Sequence, residues 1–238
     1  MADDQTPVGQ VHKAWDSATL DGDVYGEPLA VVGHVIAATE GNSVYALDAS
    51  TGTQVWRAQL GAPVNGDSLP CGNINPSGIT GTPIADVSSN TLYTVAFLAQ
   101  GTHHELFALD LTNGAVKWHR PVDPPGLAGR VEQQRGALAV GGGRVYVPFG
   151  GLLGDCGSYK GAVVSVALDG QGDLTSYVVP TTREAGIWHP GGPVVAPNGD
   201  LFVSTGNSES SGKFDSATPS FASTPSCRRS TTSLRRTG

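Results

Sequence analysis

Four groups of side chains in this chain could do chemistry. His103-His104, with His189 and Asp155, supplies imidazole and carboxylate ligands of the kind a transition metal takes. Adjacent histidines on one loop point apart, so no metal is expected there. Asp169-Gly170-Gln171-Gly172-Asp173 has the oxygen spacing of a calcium loop but lacks the flanking pattern and its closing Glu, and reads more simply as a turn. Glu132 and Arg135 read as a structural ion pair within a polar cluster. Cys71 and Cys156 leave three readings open: a disulfide, two buried thiols, or a soft-metal site.

The elements that position these groups follow from a repeat. Val44-Tyr45-Ala46-Leu47-Asp48 leads through Gly52 to Trp56, and Leu106-Phe107-Ala108-Leu109-Asp110 leads through Gly114 to Trp118. A degraded copy, Val164-Ser165-Val166-Ala167-Leu168-Asp169, leads to Tyr177, and in each copy the aromatic lies eight residues after the Asp. A second phrase opens each unit at Gly26, Gly81, Gly136 and Gly192, spacings of 55, 55 and 56 residues. Each unit holds four short apolar runs rich in Val, Tyr, Leu and Ile, parted by turn residues and without a helical period.

The fold class is therefore all-β, a β-propeller of four-stranded antiparallel blades with strands A to D. The chain is expected to hold three complete blades, part of a fourth, and an N-terminal closing strand around Val11–Asp16, a lone D strand. Trp15, Trp56, Trp118 and Tyr177 are expected at equivalent D-strand positions, docked between neighbouring blades. Asp48, Asp110 and Asp169 are expected to end the C strands and accept hydrogen bonds from the turns that follow.

Loop lengths point to one face. The A–B and C–D turns are short, whereas the B–C and D–A connections are mostly long, near 60–80, 100–104, 121–135, 150–161, 180–191 and 206–213. Long loops on one side of a rigid scaffold are where binding concentrates. The ligand-face candidates are Asn73, Asn75, His103, His104, Glu132, Gln133, Gln134, Arg135, Asp155, Trp188, His189 and Asn207. Cys71 and Cys156 lie in long loops of adjacent blades, near enough in this scheme for a bridge.

Composition sets the outer bounds. The 238 residues include 33 Gly and 16 Pro, suited to a turn-rich all-β chain, and a net charge of −7 with no basic stripe argues against a nucleic-acid partner. No run of eighteen apolar residues is present, so no transmembrane helix is expected. The domain reading is a flexible N-terminus over 1–10, a partial propeller over 11–213, and an irregular Ser/Thr/Arg-rich tail over 214–238. That tail has four Arg and no acid after Asp215, and it reads as sequence out of frame with the blades. A chain truncated in this way is expected to self-associate through its open fourth blade. A secreted or periplasmic site is expected if Cys71 and Cys156 are bonded and a leader is missing, and a cytoplasmic one otherwise.

The phrase Val-Tyr-Ala-Leu-Asp-Ala-x-Thr-Gly-x-x-x-Trp resembles the repeat of bacterial pyrroloquinoline-quinone-like, quinoprotein-type β-propellers, over residues 11 to about 213. That resemblance implies the fold strongly and the activity weakly, because the repeat recurs in dehydrogenases, in an outer-membrane assembly lipoprotein and in orphan propellers. Quinoprotein dehydrogenases use calcium-binding carboxylate and amide groups, an Asp base and a disulfide of adjacent cysteines. This sequence has no adjacent cysteines and no matching Asp-Asn-Glu set. The expectation is a non-catalytic binding propeller with no cofactor, taking a protein, peptide or carbohydrate on the long-loop face. The alternative is a dehydrogenase binding pyrroloquinoline quinone and Ca²⁺.

Overall fold

The structure is a computed structural model that describes residues 9–208 together with two short strands, 222–223 and 228–229. The first blade is built from β1 (Leu29–Val31), β2 (His34–Ala38), β3 (Ser43–Asp48) and β4 (Gln54–Gln59), hydrogen-bonded in that order. The second follows the same meander with β5 (Ile84–Asp86), β6 (Thr91–Leu98), β7 (His103–Asp110) and β8 (Val116–Pro121). After β9 (Glu132–Gln133), the third uses β10 (Ala139–Gly141), β11 (Arg144–Gly151), β12 (Ala162–Ala167) and β13 (Thr175–Val178). A fourth unit begins after β14 (Glu184–Gly186) with the hairpin β15 (Val194–Val195) and β16 (Leu201–Phe202), and β17 (Gly206–Ser208) then pairs with β14. This is a partial β-propeller.

Both faces of each inner blade are covered, and that explains the unbroken apolar runs. Phe107 and Leu109 of β7 pack with Ile36, Val44 and Ala46 of the first blade, while Leu106 and Ala108 on the opposite face pack with Val145, Val147 and Val164 of the third. Successive strand residues point to opposite faces, so a strand buried on both sides needs apolar residues at every position. A third cluster joins Val163 and Val179 to Leu201 and Val203.

Tryptophans link one blade to the next. The indole Nε1 of Trp56 donates to Leu111 O of the second blade at 3.2 Å, and that of Trp118 to Leu168 O of the third at 3.2 Å. Trp15 makes the same bond to Ala49 O of the first blade at 2.9 Å. Each indole lies over a turn glycine, and a Cβ at Gly114 would come within 2.6 Å of the Trp56 ring. Gly114 also has φ +75°, a region that L side chains avoid.

Three expectations are corrected. Residues 11–16 form no strand, since no C strand lies beside them among the described residues to supply a ladder, although Trp15 still docks. Tyr177 does not hold the tryptophan position. Ala46 and Ala108 oppose Trp56 and Trp118, whereas the matching Ser165 opposes Thr175 and Tyr177 pairs with Val163. Asp169 likewise sits two residues beyond the strand end, because Arg144 pairs with Ala167 where His34 pairs with Asp48 and Thr91 with Asp110. The longer C–D turn of the third blade causes both slips. Asp169 still accepts from Gln171 N at 2.9 Å, as a turn carboxylate does. The expected N-terminal segment 1–10 lies largely outside the described residues. So does the tail 214–238, apart from the pair β18 (Ala222–Ser223) and β19 (Arg228–Arg229), and Cys227 is outside them too.

Candidate functional site

The D–A connections converge on one side, each hydrogen-bonding to the end of a B strand or the residues just beyond it. Glu40 N donates to Asp23 O, Phe97 N to Gly78 O, and β9 and β14 pair with the ends of β11 and with β17. Residues that stand next to the repeated glycines, such as Tyr25 before Gly26 and Arg135 before Gly136, thereby reach a shared centre. The Arg135 guanidinium lies over the Tyr25 ring, 5.8 Å from its centroid.

A cavity of about 430 Å³ opens beside this contact. Its wall takes Tyr25, Asn73, Ile74, Gln133, Arg135, Leu152, Asp155, Trp188 and Asn207 from connections of all four units. Its volume falls within the range of small-ligand pockets. Of the sequence-derived candidates, Asn73, Gln133, Arg135, Asp155, Trp188 and Asn207 meet here. A second hollow, of about 510 Å³, is lined by Ser68, Leu69, Gly101, Thr102 and Ala128–Arg130, with Arg130 its one charged group.

Asp155 organises the cavity wall. It has φ +51°, tolerated because its side chain and backbone are both engaged. Tyr159 Oη donates to Asp155 Oδ1 at 2.6 Å, Asn207 Nδ2 donates to both carboxylate oxygens at 3.1 Å, and Arg183 Nη2 donates to the Asp155 carbonyl at 2.5 Å. Burial, followed by the bond to Asp155, raises the Tyr159 phenol above its ordinary range, so the phenol stays a donor. The disulfide Cys71–Cys156, with Cα atoms 6.0 Å apart, staples the 60–83 connection to this loop.

Trp188 breaks the tryptophan pattern. Its indole lies on glycine backbone, where a Cβ at Gly150 or Gly186 would come within 2.5 or 2.6 Å of the ring. Tyr159 flanks it at 5.8 Å between centroids. Unlike the three docking indoles, it has no acceptor for its N–H among the described residues.

Other candidates lie elsewhere. His103 and His104 belong to β7 and not to a loop, because β6 and β7 extend until Leu98 opposes His103. His104 is 2% exposed, stacked on Phe97 at 4.2 Å with Nδ1 2.8 Å from Asp123 Oδ1. His103 Nδ1 lies 2.8 Å from Gln100 O. Gln134 is buried and donates to Gly136 O, Asn75 Oδ1 accepts from Gly66 N, and exposed His189 accepts at Nδ1 from Gly191 N. The expected Glu132–Arg135 pair does not form, since residues three apart in extended chain point to opposite faces. Glu132 is fully buried, with Oε1 on Lys160 N at 3.3 Å and Oε2 unpartnered. Burial pushes its carboxyl up to about 8, against the Lys160 bond and with help from Asp123.

The sequence reading missed Tyr25, Ile74, Leu152, Tyr159 and Glu40. Tyr25 was findable, since it occupies the repeat position of Arg135. Glu40 is 1% exposed, its Oε2 takes Gly78 N at 2.6 Å, and burial raises its pKa.

Comparison with known proteins settles the family. Residues 9–231 match the PQQ_2 family model, outer membrane protein assembly factor BamB. The chain belongs to this family. None of the curated proteins matches the sequence. Among solved structures, the PQQ_2 chain is similar to quinohemoprotein alcohol dehydrogenase ADHIIG from Pseudomonas putida HK5, at 19% identity and TM-score 0.58 over 82% of this chain and 30% of that one. It is also similar to BamB from Moraxella catarrhalis, at 19% identity and TM-score 0.47 over 81% of this chain and 61% of that one. A quinohemoprotein alcohol dehydrogenase from Comamonas testosteroni matches at 16% identity and TM-score 0.49, over 87% of this chain and 35% of that one. The chain thus spans less than two thirds of each of these relatives, and at these identities the likeness concerns the fold.

Proposed function

We propose that this chain is a non-catalytic binding propeller whose long-loop face engages a protein, peptide or carbohydrate at the Trp188–Asp155 cavity. One observation carries the reading. Connections from all four units meet around a cavity whose polar groups are held by one another or left unspent, and the hydroxyl that touches its carboxylate, that of Tyr159, is a phenol kept protonated by burial. The family name, which describes an assembly factor, supports a binding role. The disulfide supports a periplasmic or secreted site, since such bonds persist in oxidising compartments.

The alternative is a dehydrogenase using pyrroloquinoline quinone and calcium, and the donor set does not fit it. Calcium takes six to eight oxygen ligands, carboxylates prominent among them. Asp155 is the one carboxylate lining the cavity, so a carboxylate-rich calcium set is not present there. The disulfide joins cysteines 85 residues apart, not neighbours.

Titration with the quinone and Ca²⁺, followed by dye-linked oxidation of alcohols and sugars, tests the choice. No quinone-dependent turnover is expected, and a photoreactive residue at position 73 should cross-link a partner in the wild type but not beside Trp188→Ala. Saturable quinone binding with substrate oxidation would overturn the proposal.

A further inference from the structure

We infer that the cavity binds an acidic saccharide, a chain of hexuronate units, with one sugar ring stacked on Trp188 and its carboxylate on Arg135. This rests on the binding reading above and narrows its ligand to one class.

Trp188 is the first observation. Three tryptophans of the chain give their indole N–H to a neighbouring carbonyl, and Trp188 does not. Gly150 and Gly186 clear a backbone bed for its ring, and Gly206 lies at its Nε1 edge, where a Cβ would come within 3.2 Å. One part of the indole is thus supported by protein while the half-buried ring still lines the cavity. A rigid aromatic plate beside a free N–H donor suits a ring with C–H bonds on one face and hydroxyls at its edge.

Charge is the second. No acid lies within ion-pair distance of the Arg135 guanidinium among the described residues. Its near contacts are the Tyr25 ring at 5.8 Å and the Tyr25 carbonyl at 3.5 Å, and its charge also acts on the buried Glu40 carboxyl beyond ion-pair distance. A planar fork held from below by an aromatic ring is pre-set for a carboxylate.

The count of unspent polar groups separates a sugar from an amino acid. Asn73 and Gln133 line the wall with side-chain amides that bond to nothing among the described residues, and Asn207 has spent only its donor side. Asp155 Oδ2 takes a single bond, which leaves acceptor capacity. An amino acid would use the guanidinium and one acceptor. A polyhydroxylated ring with a carboxylate uses the guanidinium, the amides, the carboxylate oxygen and the indole together.

Calorimetry with tetragalacturonate, the tetramannuronate of alginate, maltotetraose and the peptide Gly-Asp-Gly tests this on the full chain. One of the two uronate tetramers is expected to bind saturably, at least tenfold tighter than maltotetraose, and more weakly as salt rises. Trp188→Ala should abolish binding and Trp188→Phe should retain part of it. Arg135→Gln should erase the preference for acidic over neutral sugar while leaving the melting temperature unchanged. Equal binding of maltotetraose, or an unaltered preference in Arg135→Gln, overturns the charge assignment and with it the inference. Binding of Gly-Asp-Gly with no saccharide binding also overturns it, yet leaves the binding-propeller reading intact. Only quinone-dependent oxidation defeats that reading.

Discussion

Asn207 Nδ2 stands 3.1 Å from each carboxylate oxygen of Asp155, tying β17 to a loop 52 residues earlier in sequence. Because Tyr159 reaches the same carboxylate, the third and fourth units share one anion as their clasp. Hydrogen bonds to a charged group are worth ~1.5–3 kcal/mol each. Asp155→Ala is therefore expected to lower stability by about 2–4 kcal/mol. Asn207→Ala should cost about half of that. Thermal melts of both variants and of the double variant check this: the shared bond should make the double loss smaller than the sum.

The inter-blade tryptophans predict a graded series. Trp56→Ala removes a ring that is 7% exposed and should cost ~3–5 kcal/mol. Trp56→Phe keeps most of the apolar contact but leaves Leu111 O without its donor, at a cost of about 1–2 kcal/mol. Chemical denaturation distinguishes the two. Equal losses would show that the bond and not the ring matters.

Glu132 predicts a pH dependence. Its folded pKa is raised to about 8 from an ordinary 4.5, so the folded state holds a proton that the unfolded state releases. Stability from this group is complete below about pH 4.5 and is lost as pH rises towards 8, with a ceiling of ~5 kcal/mol at 1.36 kcal/mol per unit. Glu40, raised by burial as well, acts in the same direction. Glu132→Gln should flatten the fall in melting temperature between pH 5 and 8. An unchanged slope would mean that Glu132 is ionised in the folded chain.

The blades were legible because their signals are local. Val44–Asp48 and Leu106–Asp110 carry both the strand and the turn that ends it, and Trp56 and Trp118 follow at fixed spacing. Tyr177 misled for the same reason: matching Asp169 to Asp48 by residue type hides a slip that only the pairing of β12 with β13 reveals. His104 was read as loop because its polarity marks a strand end, yet eight residues each in β6 and β7 carry the hairpin past it into the core. The cavity was half legible. Loop length placed Asp155 and Trp188 on the face where the cavity opens, while Tyr25 and Leu152 join it through packing between distant units, which one-dimensional spacing does not encode.

The disulfide predicts a reduction effect. The cross-link closes a loop of 85 residues, for which chain entropy gives ~4–5 kcal/mol. Cys71→Ser with Cys156→Ser, or dithiothreitol on the wild type, should lower the melting temperature. The loss should concentrate as faster amide exchange in residues 150–161 and 66–77. Uniform exchange across all blades would count against a local clasp.

The same bond sets what a pulling force can extract. Tension applied at the two ends can draw out the first blade and the fourth unit, but the chain between Cys71 and Cys156, a sequence separation of 85, is bypassed by covalent sulfur. At ~3.4 Å per residue, roughly 290 Å of contour length stays withheld until the bond is reduced. All four strands of the second blade and strands β10 and β11 of the third lie inside that bypass, so under load they answer to the redox state of the surroundings before they answer to the strength of their hydrogen bonds.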